Sequence, residues 1–380
     1  VQGAHNLFSQ AKRMLKEGGF NLRKFATNSR ELEVSLAGDE VLVDPKCITY
    51  AEITHPSIEQ PRSSQELKVL GILWNRGEDK LVFCFDAFLA FAKSTPYTRR
   101  GLLQLIARIY DPLGLLSPMM VPLKCALQRA CKLNLSWDCE LPNEICCLVK
   151  SWLRSLSEVG SFEFPRYCIE VDKSSIKSVQ LIGFSDASEL AFGGVFYVRV
   201  ESDCGIQVNL FAARSRVAPI KTQSVPRLEL LGCLLLSKLS EPVKYSLSST
   251  EISSAKFFSD SYTALCWIKN KGQKYKQFVE ERACKIRALT DTESWHHVKG
   301  EENPADLTTR GLMPTALKEC SLWTAGPTWL RLPIDQWPVK FEETHETDES
   351  LIEMRSEDRK RAHVMVVYDA VKFVDFERFG

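Results

Sequence analysis

Apolar positions in the first part of the chain predict a helix followed by a β-hairpin. Apolar residues recur at helical spacing over residues 5–17, and Gly18-Gly19 ends the predicted helix. Further on, 68–75 is an apolar run of strand length, and 80–85 alternates as a second strand. The turn formers Gly77-Glu78-Asp79 lie between the two segments. Together they predict two strands joined by a tight turn.

The next segment has a helical pattern. Thr98–Lys132 carries apolar residues at helical spacing, with predicted interruptions at Asp111–Gly114 and at Ser117-Pro118. Residues 142–157 continue as an amphipathic helix. The composition changes near Tyr167–Lys177, and we place a domain boundary there.

The third segment alternates between strand and helix patterns. Its first strand is nearly continuously apolar, as expected for a strand that is buried on both faces. The predicted strands are Val179–Ser185, Gly193–Val200, Gln207–Ala213, Ala255–Ser259 and Trp295–Val298, and the predicted helices are Pro226–Leu239, Ser261–Asn270, Tyr275–Leu289 and Pro304–Arg310. The order β-β-β-α-β-α-α-β-α predicts an α/β (α+β) fold, with a mixed five-stranded sheet flanked by helices. Past Pro338 the chain is charge-dense, which favours a flexible linker.

Composition narrows the class of protein without identifying it. Of the 380 residues, 44% are hydrophobic and 26% are charged, which is ordinary for a globular protein of two or three domains. The net charge is +1, so any nucleic-acid surface must be local. The thirteen cysteines form no CxxC pair, which indicates free thiols in a reducing compartment. No signal peptide and no membrane-length apolar run occur, so we expect a cytoplasmic segment of a longer protein.

Four carboxylates lie where predicted strands and helices meet. Asp186 and Asp260 each end a strand, and Asp306 opens the last helix. Each of these aspartates alone could simply start a turn or cap a helix. Glu229 is the most informative of the four, because it lies within the apolar helical run Leu228–Leu231.

Metal chemistry explains why four acids would be collected. Magnesium prefers hard oxygen ligands. Two such ions about 3.5–4 Å apart can activate the attacking water and stabilise the leaving oxygen of a phosphodiester. Without metal, clustered carboxylates repel one another. The set therefore suits a pair of divalent cations better than it suits a purely structural role.

Several segments around these acids resemble the RNase H domain of retrotransposon polyproteins, in particular those of the BEL/Pao group. The matching segments are Gly183–Ser188, Ala213–Pro219, Pro226–Leu230, Phe258–Ser261 and Glu302–Leu307. The resemblance implies an RNase H-like fold and hydrolysis of the RNA strand of RNA–DNA hybrids by two Mg²⁺ or Mn²⁺ ions. It also implies localisation in a virus-like particle if the element is active.

The resemblance also implies roles for individual residues. Asp186 would be shared by both metal ions, Glu229 and Asp260 would complete the site of the first ion, and Asp306 would bind the second. The implied substrate-binding residues are Arg214, Ser261, Lys274, Asn303 and Arg100. The family's loop histidine is missing from Lys299–Asn303, and His297 is the candidate accessory residue in its place. This departure puts turnover in doubt rather than metal binding.

The N-terminal part resembles a reverse transcriptase. The hairpin is similar to a primer grip, and Leu102–Pro118 is similar to the thumb and connection of BEL/Pao polymerases. The implied organisation is a palm remnant at 1–92, a thumb and connection at 93–172, an RNase H-like domain at 173–315 and a linker tail at 316–380. No Tyr-x-Asp-Asp motif is present, so we expect no DNA synthesis by this chain alone. The implied partners are the hybrid and the other Pol segments, polymerase and integrase.

Three alternatives remain at this stage. The domain could be an inactive nucleic-acid-binding module. An aspartic peptidase needs Asp-Thr/Ser-Gly turns, but Asp186-Ala187-Ser188 and Asp260-Ser261-Tyr262 lack the glycine. An integrase usually follows a His/Cys zinc module, and the sequence contains none.

Overall fold

The computed structural model describes residues 2–20, 27–36, 66–69, 72–270, 275–338 and 351–354. Two compact units divide the chain. The first comprises Val1–Thr95, Arg108–Tyr110 and Ser157–Tyr167, and the second comprises the remaining segments. No helix within the described ranges has both the length and the apolar character that a membrane crossing requires.

The first unit contains a four-stranded antiparallel sheet in the order β1-β2-β3-β4. Its elements are α1 (Gln2–Glu17), α2 (Arg30–Leu36), β1 (Glu66–Val69), β2 (Ile72–Asn75), β3 (Lys80–Cys84), α3 (Asp86–Ser94) and β4 (Ser161–Pro165). The predicted hairpin is confirmed, with Leu73 opposite Val82. The single strand predicted over 68–75 is wrong, because β1 and β2 pair with each other and so satisfy each other's backbone groups.

Three helices of the chain precede the second sheet: α4 (Arg99–Arg108), α5 (Ser117–Lys132) and α6 (Asn143–Val159). The predicted interruption at Ser117-Pro118 is wrong. Pro118 lies in the first turn of α5, where a missing N–H costs nothing. The carboxylate of Asp111 accepts hydrogen bonds from the Leu115 and Leu116 N–H groups at 3.0 and 2.7 Å, and so holds the turn before this helix.

The second unit contains the predicted mixed five-stranded sheet, whose strands lie in the order β7-β6-β5-β8-β9. Its strands are β5 (Ile176–Ala187), β6 (Ala191–Ser202), β7 (Gly205–Val217), β8 (Ser254–Ser259) and β9 (Trp295–His297). The first three are antiparallel neighbours, whereas β8 runs parallel to β5 and to β9. The carboxyl ends of β5 and β8 therefore lie at one edge.

Helices pack on this sheet in the predicted order. They are α7 (Val225–Ser246), α8 (Tyr262–Lys269), α9 (Gln277–Leu289) and α10 (Leu307–Arg310), the last preceded by a 3-10 helix over Pro304–Asp306. The first of them extends beyond the predicted end at Leu239 and contains Pro242. The core between sheet and helices includes Phe196, Leu230, Phe257 and Trp267, all buried.

The predicted thumb does not separate from the sheet. Asp111–Leu156 belongs to the same compact unit as β5–β9. The Ala213 N–H on β7 donates to the Leu113 carbonyl at 2.8 Å. Gly114 has φ +75°, and a Cβ there would lie 1.9 Å from the Ala213 carbonyl oxygen, so only glycine permits this approach.

The flexible tail predicted from residue 316 is wrong for residues 316–338. This stretch contains most of α11 (Pro314–Glu319), all of α12 (Ser321–Ala325) and two 3-10 helices. Trp323 and Leu330 are fully buried in it. The buried guanidinium of Arg199 donates to the Leu330 and Leu332 carbonyls at 2.8 and 3.0 Å. Aromatic burial and this arginine fix the segment to the sheet.

Candidate active site

Asp186 and Asp260 occupy equivalent positions on neighbouring parallel strands. Ser185 on β5 lies opposite Ser259 on β8, and an aspartate follows each serine. Asp186 is the penultimate residue of β5, and Asp260 comes directly after β8. Adjacent strands are about 4.8 Å apart, so the two aspartates leave the sheet side by side. These two of the four candidate acids therefore lie at the same end of the sheet.

The side chain of Asp186 is buried from solvent. It is 5% exposed. Burial, together with the nearby charges of Asp260 and Asp306, raises the pKa of Asp186 to about 7, although hydrogen bonds from Thr309 and from the Ala187 N–H act in the opposite direction. The Thr309 hydroxyl donates to Asp186 Oδ2 and also to the Asp306 carbonyl at 2.9 Å. The fold therefore holds Asp186 against an unfavourable desolvation cost.

Asp260 is less buried overall but has one isolated oxygen. Burial raises the pKa of Asp260, and the Asp306 charge adds to the rise. Asp260 Oδ1 is buried and has no hydrogen-bond partner among the residues described. A buried polar atom of this kind costs free energy unless something binds it. This oxygen is the best-defined vacant acceptor of the acidic group.

Asp306 is brought to the same edge by its short 3-10 helix. The Asn303 side chain donates to the Ser185 carbonyl at 3.0 Å and accepts the Ala305 N–H at 3.1 Å, so it pins the helix to the end of β5. The Arg310 guanidinium, one turn later, donates to Asp306 Oδ1. The Arg310 side chain is 75% exposed, so this ion pair can open at small cost.

Glu229 lies on the first turns of α7, the helix whose Gly232 packs against β5 at Asp186. Gly232 is three residues later on the same helix face, and a Cβ there would lie 2.7 Å from the Asp186 carbonyl oxygen. The helix therefore approaches β5 by its backbone. Glu229 is half-buried. Its charge and that of Asp260 both act on the thiol of buried Cys233, whose pKa is raised chiefly by burial. The charges of Asp260 and Asp306 thus act on Asp186, whereas Glu229 is linked to Asp260 through Cys233.

The acids do not form a ready-made metal cage. Within the described parts of the chain, no group of three or more His, Cys, Asp or Glu side chains is arranged to hold a metal ion. Thr309 and Arg310 instead engage the carboxylates of Asp186 and Asp306. The donor chemistry still suits Mg²⁺ or Mn²⁺, because it consists of carboxylate oxygens and includes the isolated Asp260 Oδ1. Asp186, Asp260, Asp306 and Glu229 are the residues that could hold such ions.

Two of the predicted substrate-binding residues have structural roles instead. Ser261 is buried, and its hydroxyl accepts the Ala264 N–H at 3.1 Å as the cap of α8. Asn303 is fully buried, and both ends of its amide hold the loop before Asp306. These two side chains position the acids rather than face a substrate.

The remaining predicted side chains have different surroundings. Arg214 is exposed on β7. Arg100 is exposed and donates to both carboxylate oxygens of Asp138 at 2.7 and 3.0 Å. Lys274 lies outside the described residues. His297 Nε2 lies 3.1 Å from the Asp260 carbonyl oxygen, and its ring stacks on that of Tyr262 at 3.7 Å. Burial lowers the pKa of His297.

Sequence reasoning missed three residues that shape the site. Thr309 and Arg310 were not singled out, although they follow Asp306 by three and four residues, the spacing at which side chains meet on a helix. Gly232 was also missed, although a glycine inside an otherwise good helix often marks a close approach.

Comparison with known proteins gives one match to a family model. Residues 98–261 match the model of the Pao retrotransposon-like RNaseH-like domain. That range includes Asp186, Glu229 and Asp260 and ends before Asp306. No curated protein sequence matches the chain.

Solved structures show weaker similarity. A foamy viral protease–reverse transcriptase in complex with double-stranded DNA is 13% identical, with 62% of this chain and 38% of that chain covered and a TM-score of 0.39. The chain thus spans well under half of that protein. RNase H1 from Halobacterium salinarum is 10% identical, with coverages of 34% and 90% and a TM-score of 0.23. LC11-RNase H1 from compost, in complex with an RNA/DNA hybrid, is 13% identical, with coverages of 37% and 99% and a TM-score of 0.26.

Proposed function

Because this chain carries the RNaseH-like domain of the Pao retrotransposon family, we propose that it hydrolyses the RNA strand of RNA–DNA hybrids. One observation supports the chemistry above all others. The buried Asp186 and the half-buried Asp260 leave neighbouring parallel strands side by side, and Asp260 keeps a buried oxygen without a hydrogen-bond partner among the described residues. Such an arrangement is costly for the apoprotein and suits a cation.

The four acids would share the binding of two Mg²⁺ or Mn²⁺ ions. Asp186 would be the common ligand, because the charges of both Asp260 and Asp306 act on it. Asp260 and Glu229 would complete one site and Asp306 the other. When bound, the ions would supply an activated water and stabilisation of the leaving oxygen.

Two side chains prepare the acids for that role. The Thr309 hydroxyl fixes the orientation of Asp186 and favours its ionised form. Arg310 neutralises Asp306 until a cation takes its place. Because Arg310 is exposed, separating it from Asp306 costs little: water replaces the ion pair on both side chains.

The N-terminal unit and the other Pol segments would serve the same substrate. We propose that the first unit helps to grip the hybrid and that polymerase and integrase segments of the same element act beside it. Arg214 is exposed on β7, so its side chain could contact a phosphate of the hybrid as predicted.

Hydrolysis of a defined hybrid tests the proposal. The purified chain is incubated with a hybrid labelled on its RNA strand, in Mg²⁺ and in EDTA, alongside Asp186→Asn and the exposed control Asp335→Asn. Cleavage is expected from wild type and the control only, and only with metal. Equal cleavage by Asp186→Asn would mean that the activity comes from elsewhere.

A second candidate is a nucleic-acid-binding module without catalysis. It is favoured by the absence, among the described residues, of three side chains arranged around a metal position. Tight hybrid binding with no metal-dependent cleavage in the same experiment would select this alternative.

A further inference from the structure

A short C-terminal segment, Leu351–Met354, lies against the N-terminal ends of α7 and α9. Two of its three apolar side chains are buried, Leu351 at 6% and Met354 at 2% exposure, whereas Ile352 is exposed. Met354 forms an antiparallel bridge with Tyr275. The Lys276 N–H donates to the Glu353 carbonyl at 2.7 Å, and Lys276 Nζ donates to the Ile352 carbonyl at 2.8 Å. The segment is therefore docked by both its backbone and its side chains.

Glu353 is bound in the way that an oxyanion is bound. Arg227 Nε donates to Glu353 Oε1 at 2.9 Å, and the Arg227 terminal nitrogen donates to Oε2 at 3.0 Å. Lys276 Nζ lies 4.0 Å from the same carboxylate. The Glu353 side chain is only 11% exposed and that of Arg227 28%. A planar two-bond grip of this kind fits a phosphate as well as a carboxylate.

The Arg227 guanidinium also has a contact that does not involve Glu353. The Arg227 guanidinium lies 4.8 Å from the centroid of the Phe278 ring, and the Arg282 guanidinium lies 3.6 Å from the same ring. The neighbouring acids on α9 have other contacts: Glu280 pairs with Arg287, and Glu281 accepts from Gln277. Of the basic group of Arg227, Lys276 and Arg282, the first two lie against the docked Glu353 carboxylate, and Arg282 is also influenced by the charge of Glu281.

This basic group lies close to the acidic site along the chain. Arg227 is two residues before Glu229 on α7, and Lys276 immediately precedes α9. A nucleic-acid backbone that passes the acids at the ends of β5 and β8 can reach the first turn of α7. The side chain that occupies this position is Glu353, which is negatively charged and follows the acid-rich stretch 342–349.

We propose that Arg227 and Lys276 form a phosphodiester-binding site of the nuclease domain, and that Glu353 occupies it as an intramolecular substitute for phosphate. The inference rests on the proposed function and names a contact for its substrate. The hybrid must displace Glu353 to reach the site, so the docked segment lowers affinity for nucleic acid. Removal of the Glu353 charge opens the site, and removal of the Arg227 charge abolishes its use.

Binding of a fluorescent RNA–DNA hybrid in EDTA tests the proposal without hydrolysis. Glu353→Gln is expected to bind about threefold tighter than wild type, since a partly buried ion pair no longer competes. Arg227→Gln is expected to bind about tenfold weaker, since one charge-assisted contact is lost. Its salt dependence should fall by about one unit of slope. The double variant should bind as weakly as Arg227→Gln.

Matched controls separate this site from general charge effects. Glu319→Gln and Arg331→Gln make the same changes at exposed positions and should leave affinity unchanged. Lys276→Gln provides a second weakening variant if Arg227→Gln fails to fold. Wild-type affinity in Glu353→Gln and in both weakening variants would overturn the proposal, as would the absence of hybrid binding in every variant. Tighter binding by Glu353→Gln without any metal-dependent cleavage would refute the ribonuclease proposal alone and leave the phosphate site standing.

Discussion

Asp186→Asn should stabilise the apoprotein at alkaline pH. The pKa of Asp186 is raised by burial to about 7, so the fold disfavours its ionised form. A raised pKa contributes stability below the unfolded value near 4, and this stability is lost as the pH rises through 7. The change from 3.8 to about 7 corresponds to an upper limit of about 4 kcal/mol. We expect a gain of a few kcal/mol at pH 8 and little difference near pH 4, because asparagine cannot ionise.

Urea denaturation in EDTA at several pH values measures this gain directly. Asp335→Asn, the same change at an exposed position, should show no pH-dependent difference from wild type. Addition of Mg²⁺ should then stabilise wild type more than Asp186→Asn, because a ligand that binds the folded state adds to its stability. The reasoning fails if Asp186→Asn is destabilised equally at pH 4 and pH 8.

Three further substitutions test individual contacts. Gly232→Ala places a methyl group 2.7 Å from the Asp186 carbonyl, so thermal unfolding should show a loss of about 1–3 kcal/mol; unchanged stability would mean that the close approach is absent. Thr309→Val removes a donor that favours ionised Asp186 and should cost about 1 kcal/mol at pH 8 but little at pH 4, where an equal loss would rule out coupling to the carboxylate. Arg199→Met should leave the Leu330 carbonyl unpaired and cost about 1–3 kcal/mol, with faster proteolysis of the C-terminal segment; unaltered proteolysis would contradict the pinning role.

The sheet and its order could be predicted from sequence because each strand is an apolar run bounded by turn residues. The acids were found for a related reason. Asp186 lies near the end of one buried strand and Asp260 directly follows another, and parallel strands carry their carboxyl ends to one edge. Resemblance to a known family then linked Glu229 and Asp306 to them.

The folded stretch after residue 315 could not be predicted in the same way. Its buried side chains, Trp323, Trp329 and Leu330, have neither helical nor alternating spacing, and the segment is held by an arginine more than a hundred residues earlier. The capping role of Ser261 could not be predicted either. A serine beside a candidate acid can cap the following helix as readily as it can contact a substrate, and the motif does not distinguish the two roles.

The most direct test of the central claim uses one hybrid with a different fluorophore on each strand. Wild type and Asp335→Asn with Mg²⁺ should cut the RNA strand and leave the DNA strand intact. Asp260→Asn should lose at least about a hundredfold in rate, since it removes the negative charge of a carboxylate assigned to the metal. Cleavage of both strands, or of neither by folded wild-type protein, would contradict the assignment of a metal-dependent ribonuclease to these carboxylates.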